Sequence, residues 1–152
     1  MLKRFRNLSR AERLDLWSAG WRLSCVWCLL PVLGLERARS WLSRFQRRPA
    51  RRCDGRADLE VWARRATALK RVGGRMPGVR CLARSLCLWW WMRGAGLDPA
   101  LEIGVRRGED DAVQSHSWVE CDGVPVDETP EVVARFRPLR WHEAAGREAS
   151  SR

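Results

Sequence analysis

Apolar positions keep a spacing of three to four through the first two-thirds of the chain and of two thereafter. Ser9-Arg-Ala-Glu12 has capping-box form, and Leu14, Trp17, Trp21 and Cys25 or Cys28 follow as one apolar stripe, predicting a helix that turns this stripe to a core. Pro31 is expected to stop or kink it. A second short helix is expected through Leu35, Trp41, Leu42 and Phe45, and the aperiodic, Arg-rich Gln46–Arg56 reads as an exposed linker. A third helix fits Asp58–Val72, capped by Asp58, with Leu59, Trp62, Ala66 and Leu69 inward. Gly73, Gly74, Pro77 and Gly78 mark a loop before an apolar helix over Cys81–Arg93, ended by Gly94 or Gly96. The period then falls to two at Leu101, Ile103 and Val105, a strand followed by the polar loop Arg106–Gln114. Ser115–Cys121 and Val124–Glu128 flank Asp122-Gly123, the dipeptide of a type I′ hairpin. Pro130–Arg140 is expected to add a turn of helix and a last strand, before a polar tail from His142.

Helices first and an antiparallel sheet later define an α+β domain. We expect residues 1–57 to form an N-terminal helical region and basic linker, 58–141 the core, and 142–152 a disordered tail of one compact unit. The 152 residues suit one domain, and 45% hydrophobic against 31% charged residues suits a globular one. Ten Trp, no Tyr and a preference for Arg over Lys read as codon bias. The longest apolar run, Cys25–Leu35, is too short for a membrane span and starts too late for a secretory signal, so the expected location is the cytoplasm, without stable membrane insertion. Six reduced Cys follow from that location. The net charge of +11 calls for an anionic partner without saying which.

With two His in the chain, each can be weighed. His142 sits in the polar tail. For His116, a two-residue loop at Asp122-Gly123 sets Cys121 opposite Val124, Trp118 opposite Asp127 and His116 opposite Thr129. His116 and Asp127 then become diagonal neighbours on one face, whereas Asp122 is about 20 Å away at ~3.3 Å per residue. Cys81 opens a helix directly after a Gly/Pro loop, where free N–H groups and the dipole favour a thiolate and an oxyanion, with Arg84 one turn on. Cys, His, Asp in that order is the set for acyl transfer: Cys81 as nucleophile, His116 as proton shuttle, Asp127 orienting the imidazole. A buried Cys, a satisfied strand His and a surface Asp would leave the same letters.

Cys81-Leu-Ala-Arg84-Ser85-Leu86, Arg93-Gly-Ala-Gly96, Leu101-Glu-Ile103-Gly104-Val105 and His116-Ser-Trp118-Val119-Glu120 follow one another in order. Over about residues 8–130 this resembles the transglutaminase-like, papain-related peptidase of the lasso-peptide biosynthesis B proteins, in its stand-alone form. The resemblance implies a cysteine peptidase that removes the leader from a ribosomally made, post-translationally modified precursor, freeing the amino terminus for an ATP-dependent lasso cyclase. It carries the triad onto Cys81, His116 and Asp127, with Ser117 where the family often has Ala. It implies no cofactor or metal. It also implies a separate leader-recognition protein, because a fused recognition domain does not fit in this length.

Trp118 and Glu120 share the face of His116 and, with Arg84, are candidates for supporting the site. Cys25-x-x-Cys28 lacks a second Cys pair or a nearby His, so core packing is its reading rather than zinc. Cys87 and Cys121 read as structural, and of Trp89-Trp90-Trp91 one or two must be core. The basic runs lack a nucleic-acid-reading module and no phosphate loop is present, so neither nucleic acid nor nucleotide is expected. Transglutamination or amide hydrolysis on the same fold, and a non-catalytic basic adaptor for nucleic acid or an acidic partner, are the alternative functions.

Overall fold

The computed structural model describes residues 9–44, 55–108 and 110–139, and of residues 55–57 the backbone alone. Phe45, most of the basic linker and the tail with His142 lie outside the described residues. The first helix, α1 (Arg10–Ser43), begins with the expected capping box: the Glu12 N–H donates to Ser9 Oγ (3.2 Å) and the Ser9 N–H to Glu12 Oε2 (2.8 Å). It carries both expected helices as one kinked element. The break falls at Gly34 (φ 71°, ψ 173°), three residues past Pro31, where the backbone takes a conformation open almost only to glycine.

The face that α1 buries differs from the expected one. Asp15, Ala19, Leu23 and Val26 are inside, whereas Leu14 is 62%, Trp17 76% and Trp21 42% exposed, and Cys25 and Cys28 are exposed rather than packed. Asp15 is admitted by two guanidinium groups from the next helix, Arg64 Nε at 2.7 Å and Arg65 Nε at 3.3 Å. A charge removed from water needs such a partner. As a helix, α1 also contains an 18-residue window of mean hydropathy 1.3, long and apolar enough by composition to cross a membrane, where the sequence reading expects none. One side of it nevertheless belongs to the protein core.

Helices α2 (Gly55–Gly73) and α3 (Cys81–Gly94) complete the helical layer, α2 starting three residues before the expected Asp58 cap. A single apolar cluster joins Leu23 and Leu42 of α1, Trp62 and Leu69 of α2, and Leu86, Leu88, Trp89 and Met92 of α3 to the sheet residues Leu101 and Val119. The sheet contains β1 (Ala100–Arg107), β2 (Val113–Cys121), β3 (Val124–Pro125) and, after the short α4 (Pro130–Val133), β4 (Arg137–Pro138). All pairings are antiparallel, in the order β3-β2-β1-β4. The result is the expected α+β architecture.

Asp122 (φ 51°) and Gly123 (φ 77°) form the I′ turn, and Cys121 pairs with Val124 as the register predicts. The ladder then stops early. The Val126 N–H still donates to the Val119 carbonyl (2.9 Å), but the Val119 N–H donates to Asp127 Oδ1 (2.8 Å) instead of to a backbone oxygen. A side chain thus takes the place of the next ladder bond, and β3 has two residues rather than five. The expected pairs of Trp118 with Asp127 and His116 with Thr129 do not form; His116 lies opposite Gly104 of β1.

Ser117, Val119 and Cys121 are buried on the inner face of β2. Cys121 is disulfide-bonded, in place of the free thiol expected, and its partner lies outside the described residues. On the outer face Trp118 is equally buried, at 0% exposure, because Gly104 lets it lie against the neighbouring strand. A Cβ at Gly104 would come within 2.8 Å of Trp118 Cη2 and of Phe136 Cβ.

Candidate active site

Cys81 is the first residue of α3, as the sequence predicts. Arg80 before it is extended (φ −100°, ψ 178°), with no side chain capping the helix. The first helical bond runs from the Arg84 N–H to the Arg80 carbonyl (3.4 Å), so the N–H groups of residues 81–83 have no partner in the preceding turn. The helix therefore presents uncapped donors and its positive end beside the thiol. Cys81 lines a crevice with Lys70, Arg84, Ser85, Ser117, Asp127 and Glu128. Its free space, about 10 Å³, is that of a single water. The aliphatic stem of Arg84 lies against Gly73, where a Cβ would come within 3.0 Å of Arg84 Cδ.

The carboxylate nearest His116 is Glu128, not Asp127. His116 Nε2 lies 3.3 Å from Glu128 Oε1, and the same oxygen lies 3.0 Å from Lys70 Nζ. The imidazole nitrogen is buried and makes no well-aligned hydrogen bond, so the contact is one of proximity and charge. Asp127 is taken up elsewhere: Oδ1 accepts from the Val119 N–H, and Oδ2 is 3.0 Å from Ser85 Oγ, itself 2.9 Å from the Ser117 carbonyl oxygen. Burial raises the Asp127 carboxyl above its ordinary range, against the opposing pull of the Val119 and Ser85 hydrogen bonds.

The expected diagonal contact fails because the Asp127 side chain ends β3 and turns toward α3, which brings the next residue to the imidazole. Sequence reasoning missed Glu128 by carrying the ladder too far. Pro125, which cannot donate to a ladder, was the available signal for a short strand.

Of the supporting candidates, Arg84 lines the Cys81 crevice. Trp118 lies beside His116, with ring centroids 6.4 Å apart, and its indole N–H donates to Glu120 Oε1 (2.7 Å). Phe136 also lies against the imidazole, with centroids at 5.2 Å. His116 is thus held among aromatic rings with one edge toward Glu128. Cys87 is buried and its thiol is pushed up by desolvation, which makes it inert. Trp89 and Trp91 are core and Trp90 is half-buried, edge-on to Trp21 (5.7 Å). No group of three or more His, Cys, Asp or Glu is placed to hold a metal among the described residues.

Residues 23–140 match the family model described as the transglutaminase-like superfamily. No curated protein and no solved structure matches the chain.

Proposed function

The chain belongs to the transglutaminase-like superfamily, and on that premise we propose that it is a cysteine peptidase that removes the leader from a lasso-peptide precursor. The observation that carries the acyl-transfer reading is one constellation. Cys81, at an uncapped helix start, shares a crevice with Glu128, and Glu128 is the carboxylate at His116 Nε2. The choice of a leader peptide as substrate rests on the C-x-x-R-S-L and H-x-W-V-E motifs.

On this reading His116 must exchange a proton with the thiol through Nδ1, the nitrogen that Glu128 leaves free. Cys81 Sγ gives up its proton to His116 and attacks the scissile carbonyl carbon. The carbonyl π pair moves to oxygen and is stabilised by the free N–H groups of the first turn of α3. Collapse breaks the C–N bond, and the imidazolium protonates the departing amine. Water, deprotonated by His116, then hydrolyses the thioester and returns the thiol. Glu128 offsets the imidazolium charge, and Asp127 is a positioning residue that fastens the end of β3 to α3. A separate recognition protein presents the leader, and the freed amine passes to a cyclase.

The test is incubation with precursor and recognition protein, read by mass spectrometry. Cys81→Ala should abolish leader release with an unchanged circular dichroism spectrum, and retained cleavage would remove the mechanism. Glu128→Gln should lower kcat about 10²–10⁴-fold, the range set by loss of an orienting carboxylate. If Asp127→Asn has that effect while Glu128→Gln has none, Asp127 is the triad acid. Products joined to an added amine, in place of a free acid, would mark a transglutaminase.

A further inference from the structure

Beyond the Cys81 crevice, the sheet carries a second concave feature. The end of β1, the start of β2 and the segment entering β4 enclose an open cleft of about 570 Å³ lined by Val105, Arg106, Arg107, Val113, Arg135 and Arg137. Among the described residues that line it, four are Arg and two are Val. Arg107 Nη1 is anchored to Asp111 Oδ1 (2.8 Å) at the rim, and Arg106 is held by Gln114 Oε1 (2.9 Å) and by stacking over Phe136 at 5.2 Å. All four arginines are exposed, Arg106 and Arg107 with polar partners beside them, and Val105 and Val113 add apolar surface to the cleft.

Strand register relates this cleft to the proposed site. Side chains two apart on a strand share a face, so Val113 and Ser117 lie on the same face of β2. Ser117 lines the Cys81 crevice and Val113 the arginine cleft. Four residues at ~3.3 Å separate them by about 13 Å, the reach of four extended residues of a bound peptide.

We propose that this cleft is a binding site for acidic side chains of the substrate peptide, about four residues from the bond that is cut. The proposal rests on the peptidase reading for its substrate and on the cleft alone for its chemistry. Guanidinium groups pair with carboxylates in charge-assisted, often bidentate hydrogen bonds. A carboxylate entering between Arg135 and Arg137 meets two exposed guanidinium groups, with Arg106 also lining the cleft and Arg107 already paired to Asp111.

The test separates the two readings. Binding of a fluorescein-labelled hexaglutamate peptide is followed by anisotropy on the full chain carrying Cys81→Ala, with hexaglutamine as the neutral control. Adding R135Q/R137Q should weaken hexaglutamate binding about tenfold or more. Adding R10Q/R13Q, the same charge change on α1, should leave it within about twofold. Equal losses in both variants, or no preference for glutamate over glutamine, would overturn the cleft. So would displacement of the peptide by a single-stranded oligonucleotide at lower concentration, which assigns the arginines to phosphates. In the processing assay with intact Cys81, R135Q/R137Q should raise KM and spare kcat; an unchanged KM discards the cleft and leaves the peptidase standing. If wild-type protein cleaves no precursor while hexaglutamate still binds through Arg135 and Arg137, the peptidase reading fails and the cleft survives.

Discussion

Asp127 and Glu128 are adjacent carboxylates in opposite circumstances. Asp127 is half-buried and bonded to a strand N–H and the Ser85 hydroxyl, whereas Glu128 has two cationic or potentially cationic neighbours, Lys70 and His116. Burial raises the Asp127 carboxyl above its ordinary range, with the hydrogen bonds from the Val119 N–H and the Ser85 hydroxyl pulling the other way. Because the folded-state pKa is raised, the contribution of this carboxyl to stability is fully present below the unfolded carboxylate range and is lost as pH rises through the folded value. Urea midpoints of the wild type, relative to Asp127→Asn, should therefore fall as pH rises across the acid range and then level off. A difference that grows with pH would mean that the two hydrogen bonds outweigh desolvation.

At the scale of elements, α1 decides how far the pattern of the chain could be read. The Leu14, Trp17, Trp21 stripe is as apolar as the Ala19, Leu23, Val26 face, and spacing alone cannot say which side meets α2. The face that is buried carries Asp15, and its partners Arg64 and Arg65 lie on the neighbouring helix, 49 and 50 residues away in sequence. In thermal melts, Leu23→Ala should cost about 2–5 kcal/mol, as for a filled core site, and Trp17→Ser should stay within about 0.5 kcal/mol. The reverse ranking would return the predicted stripe to the core. The start of α3, the I′ turn and the β2 register with Val124 were legible because each is fixed by residues adjacent in sequence. Glu128 and the inner face of α1 were not, because side chains distant in sequence set them. For the same reason the place of Cys81 at a helix start and of His116 on β2 was legible locally, and the carboxylate beside His116 was not.

For the molecule as a whole, the charge of +11 acquires a place as well as a size. The arginine cleft is open to solvent, whereas His116 Nε2 and Asp127 are shielded within the protein. Salt screens exposed charges over a Debye length of about 10 Å at 0.1 M and reaches buried pairs far less. If an acidic precursor is gathered by the surface and cut in the crevice, ionic strength should act on one kinetic constant alone. KM for the precursor should rise steadily with added salt, while kcat at saturating precursor stays level. Neutralising Arg47, Arg48, Arg51 and Arg52, which lie outside the described residues, should raise KM further if that run also contacts the leader or its recognition protein. R135Q/R137Q should flatten the salt dependence, because the charges that salt screens have been removed. A kcat that falls in parallel with affinity would instead put the screened charges at the reacting atoms, and the basic surface would then be part of the chemistry.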